Sequence, residues 1–393
     1  MSSRRRLRIV SIAHPATSSE AGRLRYRHLA SRPDVDLHLV VPEVWKEFGR
    51  TIVAPPSDES FAVHRLPIRL AEAGPMKWYL HFYPALRRLL RELDPDVIHL
   101  WEEPWSIVAL QAQLLRGRAA VVLEVDQNIL KRLPPPFETI RKFVLGRTDH
   151  VLSRSPEATR VVQARGYRGP VTPIGYGVDL VTFTPADAQL PKNSSAPLRL
   201  GYVGRLVVEK GLDDALEALA RSNSAATLSI MGEGPHEAQL RQRAQELGLR
   251  DRVDIQGWAS PAAVAAFLRS LDALLLLTRT TNAVREQFGR VIIEAQACAI
   301  PVIGSTCGAI PDVVGDGGWI VPERDPERLG GLFDDLTADR AELRVRSQAA
   351  RANALERFTY DAVATAIEAA CRAADQSRNA SRTLRPQRLQ ASR

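Results

Sequence analysis

Short, nearly continuous apolar runs alternate with segments of helical period along most of the chain. The runs "LRIVSIA" (7–13), "VDLHLVV" (35–41), "FAVHRLP" (61–67), "PDVIHLW" (95–101), "AAVVLEV" (119–125), "HVLSRS" (150–155) and "VTPIGYG" (171–177) read as strands. Helical patterns fill the intervals through "RLRYRHLA" and near 76–93, 105–115, 136–145 and 157–165. Pro84 falls inside the second of these and predicts a kink or break there, because it lacks an amide hydrogen. Strands apolar at successive positions, with helices between them, predict a parallel sheet covered on both faces.

"TPADAQLPKNSSAP" (184–197) has no hydrophobic period and reads as a linker. The alternation then restarts, with strands at 198–204, 226–232, 252–258, 272–278, 300–305 and 318–321. Helices are expected at 211–221, 235–247, 261–270 and 290–298, with helical residues again over 325–350 and 359–374. The pattern predicts an α/β protein of two doubly wound, Rossmann-like domains facing across a cleft. Residues 1–185 form the first domain and 198–358 the second; 359–375 is a helix packing back on the first, and 376–393 a disordered basic tail. In such sheets ligands bind beyond the carboxyl ends of the strands.

Composition adds three constraints. The 393 residues are enough for two cores. Net charge is +8, and residues 1–190 carry about +7 of it, so the first half is the basic one. That charge suits an anionic membrane surface or a phosphorylated ligand; it also arises from arginine-rich composition with no partner at all. No basic–aromatic patch or nucleic-acid module accompanies it, so nucleic acid is not an expected partner. Three scattered cysteines, Cys298, Cys307 and Cys371, lack metal-like spacing and fit reduced thiols in a cytoplasmic protein. No run reaches the length of a membrane span, so any membrane contact is peripheral, on the inner face. "KWYLHFYPALRRLLREL" (77–93) mixes aromatic and basic residues and suits such a contact, or is an ordinary amphipathic helix with its aromatic face in the core.

Chemistry concentrates in "REQFGRVIIEAQA" (285–297). Glu286 lies in a polar loop, Gly289 permits close backbone approach, and a helix begins near Arg290. The first amides of a helix have no internal partners and form an anion site. Glu294 lies about one turn further on and can accept from paired hydroxyls such as those of a ribose. Glu286 can accept from hydroxyls on the other side of the anion, which fits a nucleotide-diphosphate sugar. The alternatives are a solvated loop charge for Glu286 and a helix ion pair for Glu294. In "GYVGRLVVEKG" (201–211), Gly204, Arg205 and Lys210 occupy a strand-to-helix loop, where two cations neutralise a diphosphate without a metal or simply face solvent.

These segments, with "MGEGP" (231–235) and "IPVIGSTCGAIPDVV" (300–314), resemble the retaining family-four glycosyltransferases of GT-B fold, whose hallmark is Glu-x7-Glu, here Glu286 and Glu294. The resemblance covers nearly the whole chain and is strongest over about 171–322. It implies a hexosyltransferase of cell-surface polysaccharide or glycolipid synthesis. Glu286 would meet the donor sugar, Glu294 the ribose, and Arg205 and Lys210 the diphosphate. Gly204, Phe288, Gly289, Arg290 and Val291 would complete the donor site. Gly22 is what remains of the family's glycine-bearing loop after the first strand. Where that family often has Gly-Leu after Phe, this chain has Gly289-Arg290.

The first domain would hold a saccharide or lipid-linked acceptor. Where many relatives carry a histidine, this chain has Glu124, Val125, Asp126, Gln127 and Asn128. Asp126, Gln127, Asn128 and Glu102 are the acceptor-side candidates, with Glu103 beside them; solvated loop carboxylates are the alternative for Glu102 and Glu103. His14 and His99 read as packed or polar-loop residues. No cofactor and no metal ligand set is expected, since no Asp-x-Asp is placed to carry a metal. The altered 124–128 segment also suits a non-catalytic GT-B scaffold acting as a binding or regulatory partner.

Overall fold

The structure is a computed structural model that describes residues 5–18, 22–47, 50–71, 77–186 and 196–390. In chain order the first half contains β1 (Leu7–Ile12), α1 (Leu24–Ala30), β2 (Val35–Pro42), β3 (Val44–Glu47), β4 (Arg50–Val53), β5 (Ala62–Leu66), α2 (Lys77–Leu80), α3 (Leu86–Leu93), β6 (Val97–Leu100), α4 (Ile107–Leu115), β7 (Ala120–Val125), α5 (Phe137–Leu145), β8 (His150–Ser153), α6 (Pro156–Ala164) and β9 (Val171–Pro173). Seven of the strands form one parallel sheet in the order β5-β2-β1-β6-β7-β8-β9, and β3 and β4 pair as a separate antiparallel hairpin. Alternate residues of each strand enter different cores. Val10, Ile12, Ile98, Val121 and Leu123 pack in one, while Ile9, Leu37, Leu39, Val97, Val122 and Leu152 pack in the other. Burial on both faces explains the continuous apolar runs.

The second half contains β10 (Arg199–Val203), α7 (Leu212–Arg221), β11 (Thr227–Met231), α8 (Glu237–Glu246), β12 (Val253–Gln256), α9 (Pro261–Ser270), β13 (Ala273–Leu276), α10 (Arg290–Ala297), β14 (Val302–Ser305), α11 (Ile310–Val314), β15 (Gly318–Val321), α12 (Pro326–Ala338) and α13 (Arg340–Arg357). Its six strands form a second parallel sheet, ordered β12-β11-β10-β13-β14-β15. The chain then enters α14 (Tyr360–Gln390), whose Val363, Ile367 and Cys371 fill the core shared by Ile9, Leu37 and Val122. Residues 1–177 and 360–393 therefore make one compact unit and 178–359 the other. Each fully buried aliphatic side chain on such a helix contributes about 1.5–3 kcal/mol.

Two expectations change, and the break expected at Pro84 is present. The division between units falls at Gly177–Val178, before the Pro-rich segment, and most of that segment (187–195) lies outside the described residues. The backbone from 376 to 390 continues α14 rather than forming a disordered tail, because once the helix is docked each further residue adds a hydrogen bond without a new nucleation cost. The aromatic segment near 77–93 breaks around Pro84 into α2 and α3, with Phe82 bridging to Arg69. His81, Tyr83, Leu86 and Leu90 are buried while Arg87, Arg88 and Arg91 are exposed, so aromatic residues there serve the core. Among the described residues, no helix is long and apolar enough to cross a membrane.

Candidate active site

In the second unit β10 pairs with both β11 and β13, and the strand order reverses direction between β10 and β13. Ligands of open parallel sheets lie at that switch point, beyond the carboxyl ends. The loop after β10 carries Gly204, Arg205 and Lys210, and the loop after β13 carries Glu286. The Arg279 amide donates to the Glu209 carbonyl at 2.7 Å, which ties the two loops together. Arg279 also forms a two-pronged ion pair with Asp214 of α7, at 2.6 and 2.8 Å.

Lys210 Nζ donates to Glu286 Oε2 at 2.6 Å, and Thr278 Oγ1 donates to the same oxygen at 2.8 Å. Glu286 is therefore not a solvated loop charge. Its main chain is fixed as well: its carbonyl accepts from the Ala309 amide at 3.0 Å, and its amide donates to Cys307 Sγ at 3.5 Å. Gly308, with φ near +59°, lets this turn approach; a Cβ there would stand 2.2 Å from the Glu286 carbonyl oxygen.

Gly289, with φ of +81°, caps α10, and Arg290 is the first helical residue. Phe288 is buried edge-on to Phe358 at 5.5 Å, so the segment before the helix is anchored by its ring. Arg290 is exposed and Val291 half-buried. Glu294 lies along the same helix, and among the described residues no group hydrogen-bonds its carboxylate. Burial pushes it up to about 7, against the opposing charge of Arg290. The helix ion pair considered for it is not formed.

Arg205 is exposed, and its carbonyl accepts from the Tyr202 hydroxyl at 2.8 Å. Tyr202 is held above the usual phenol range by burial and by Glu286, with Arg205 acting in the opposite direction. The phenol is thus the group that lies in the fields of both. Gly204 presses against this ring: a Cβ would stand 2.7 Å from the Tyr202 hydroxyl. Sequence reasoning did not single out Thr278, Asp214, Arg279 or Cys307. The position of Thr278 at the carboxyl end of "DALLLLT" is the signal that marks it.

In the first unit the switch point lies between β1 and β6. Glu102 is buried, not solvated, and accepts from His14 Nδ1 at 2.7 Å and the His14 amide at 3.2 Å. Burial works to raise it, but His14 and then His81 outweigh burial and hold it below the usual carboxylate range. Glu103 accepts from the Asp126 amide at 3.2 Å; burial and the nearby Asp126 charge push it up to about 8. Asp126 is held by Arg154 at 2.9 Å and by the Tyr176 hydroxyl at 3.2 Å. Asn128 is buried and Gln127 half-buried. Beneath them Glu124 is wholly buried and meets Arg25 at 3.1 Å, His99 Nε2 at 2.9 Å and Arg154. Glu124 is thus a buried structural charge, and His99 is packed as expected. Gly22 belongs to this unit, where a Cβ would stand 2.3 Å from the Pro15 carbonyl oxygen.

Comparison with known proteins agrees with this arrangement in both halves. Residues 186–353 match the family described as "Glycosyl transferases group 1", and residues 26–182 match "Glycosyltransferase Family 4". The D-inositol 3-phosphate glycosyltransferase of Segniliparus rotundus is 33% identical over 212 residues, covering 50% of this chain and 46% of that protein. A GDP-mannose-dependent monoacylated alpha-(1-6)-phosphatidylinositol monomannoside mannosyltransferase of Corynebacterium glutamicum is 28% identical over 301 residues, 70% of this chain and 76% of that one. Anabaena HepE, solved in complex with UDP, superimposes with a TM-score of 0.68 at 16% identity, covering 92% of this chain and 98% of HepE. The chain spans about half the length of the first curated relatives it matches, between 40% and 57% of each. The chain carries the GT-B fold, and each of its two halves matches a glycosyltransferase family.

Proposed function

We propose that the protein is a retaining hexosyltransferase that moves a sugar from a nucleotide-diphosphate sugar to a hydroxyl acceptor, in the synthesis of cell-surface polysaccharide or glycolipid. The observation that carries this reading is the 2.6 Å pair of Lys210 and Glu286 at the switch point, close in sequence to a helix whose Glu294 carboxylate accepts no hydrogen bond among the described residues. Those groups supply what a nucleotide sugar needs. Lys210 and Arg205 offer positive charge to a diphosphate, and the amides opening α10 offer hydrogen bonds. Glu294 accepts from ribose hydroxyls, and Glu286 from sugar hydroxyls.

In the reaction the bond from the anomeric carbon to the phosphate oxygen breaks, and a bond from that carbon to the acceptor oxygen forms. The acceptor proton passes to the departing phosphate oxygen, so no protein base is required. Lys210 and Arg205 stabilise the charge that accumulates on the diphosphate, and no metal is needed for that task. The acceptor is a saccharide or a lipid-linked saccharide. Glu102, Asp126, Gln127 and Asn128 are its candidate contacts, and the basic first half favours an anionic membrane surface at the inner face. The complex of HepE with UDP-glucose, and the GDP-mannose dependence of the Corynebacterium relative, make UDP-glucose and GDP-mannose the first donors to test.

The test is a donor panel scored by nucleotide release with and without acceptor saccharides. One donor should be turned over, with Lys210→Ala and Glu286→Gln much slower. The anomeric configuration of the product, read by NMR, checks retention. A folded protein that neither hydrolyses nor transfers any donor would overturn the reading.

A further inference from the structure

We propose that His14, His81 and Glu102, all within the first unit, form a binding site for one divalent transition-metal ion, zinc foremost. The three residues come from three separate stretches of chain. Ile12 and Leu100 are register partners in adjacent parallel strands, so His14 and Glu102 emerge side by side, two positions beyond the carboxyl ends. His81 arrives from the connection between α2 and α3, which the Arg69–Phe82 bridge holds in place. One ligand atom from each lies within 4.8 Å of the others.

The spacing suits the ion. His14 Nδ1 stands 2.7 Å from Glu102 Oε1, and His81 Nε2 stands 3.9 Å from the same oxygen. Ligand atoms around a tetrahedral ion with bonds near 2.0–2.1 Å are about 3.3 Å apart, and the two edges straddle that value. The donor set is two imidazoles and one carboxylate, which zinc accepts with a fourth position left open. The ligands are also oriented. The His14 amide donates to Glu102 Oε1 at 3.2 Å, and the Trp45 ring packs against His14 at 4.6 Å and His81 at 5.0 Å. Side-chain exposure is 14% at His14 but 1% at Glu102 and 0% at His81, so the open position is reached from the His14 side.

The inference is independent of the transferase reading, and its readout is metal uptake. Metal-stripped full-length protein is titrated with cobalt(II), whose visible bands report four-coordinate geometry. One equivalent should bind, produce those bands and be displaced by zinc. His81→Ala and Glu102→Gln should each weaken binding by about tenfold or more. Circular dichroism checks that each variant folds, and His14→Ala, at the most exposed ligand, provides a third variant. Failure of the folded wild type to take up cobalt would overturn the site and leave a hydrogen-bonded histidine–carboxylate cluster. Uptake unchanged in the folded variants would also overturn it.

Discussion

The Lys210 ammonium stands 2.6 Å from Glu286 Oε2, although the two side chains leave the sheet on different loops after neighbouring strands. Each offsets the other before any ligand arrives. Half-burial makes the pair stronger than a surface ion pair, and the Thr278 hydroxyl holds the shared oxygen in place. On the proposed reading, a donor diphosphate would compete for the ammonium and free the carboxylate for sugar hydroxyls, so that the pair would act as one unit.

Mutating such a unit should give non-additive losses. Lys210→Ala should cost about 2–4 kcal/mol of transition-state stabilisation, or about 30- to 1,000-fold in kcat/KM. Glu286→Gln should lower kcat by a comparable factor, and the double variant should fall well short of the product of the two losses. Steady-state release of nucleotide measures all three. Strict additivity would mean that the ion pair has no part in the reaction.

Gly308 offers a test at one remove from the chemistry. Its left-handed backbone costs a residue with a Cβ about 1–2 kcal/mol, and the added carbon would meet the Glu286 carbonyl at 2.2 Å. Gly308→Ala should lower Tm and reduce kcat/KM at least about tenfold by displacing Glu286. Gly331→Ala is the control, since nothing lies within 4 Å of its Cβ position and it sits inside α12. It should leave activity unchanged and hold or raise Tm. Equal kinetics in the two variants would remove the link between the turn and Glu286.

Much of this architecture can be read from residue pattern because the strands are buried on both faces. Runs such as "AAVVLEV" fit a strand buried on both faces, as β7 is, and Gly289 before Arg290 marks a helix start that the structure keeps. The β3–β4 hairpin is short and mixes polar with apolar residues, so its period is too weak to see. Residues joined by register rather than by sequence are also hidden. His81 reaches Glu102, and Cys307 reaches Glu286, only once the strands have paired. Glu294 stands in an otherwise apolar helical run, but only the fold shows that burial raises its carboxyl. Glu124 is different: it looks like part of a binding loop, yet the charges around it make it structural.

That buried cluster carries a stability prediction. Removing the Glu124 charge leaves Arg25 and Arg154 facing each other without solvent, and breaking a buried pair costs about 3–5 kcal/mol. Glu124→Gln should therefore lower the urea midpoint strongly at pH 7. Burial raises the Glu124 pKa, but Arg154 and Arg25 outweigh it and hold the group well below its ordinary range. The charge then stabilises the fold above the unfolded pKa near 4.5, and that contribution is lost as pH falls below it. The gap between wild type and variant should narrow in acid. Trp101 fluorescence reports the site, because the indole lies 4.4 Å from Arg25 and 5.3 Å from Arg154. A variant as stable as wild type at pH 7 would refute the assignment.

Glu294 predicts the opposite dependence. Its carboxyl is pushed up to about 7 from an ordinary 4.5, so the folded protein holds this proton more tightly than the unfolded chain. The resulting stability is fully present below 4.5 and is lost as pH rises through 7. Glu294→Gln, which stays neutral, should gain on wild type between pH 5 and 8 in thermal unfolding. Donor binding should run the other way, because ribose hydroxyls donate best to the ionised carboxylate. Wild-type donor KM should fall as pH rises through about 7, while kcat should change little if, as proposed, Glu294 holds the ribose alike in ground and transition states. In Glu294→Gln the KM should be higher and flat across that range. The neighbouring Cys298 thiol is pushed up to about 11 by burial and does not titrate in this window. A KM profile that kept its slope in Glu294→Gln would assign the titration to another group and take the ribose contact away from Glu294.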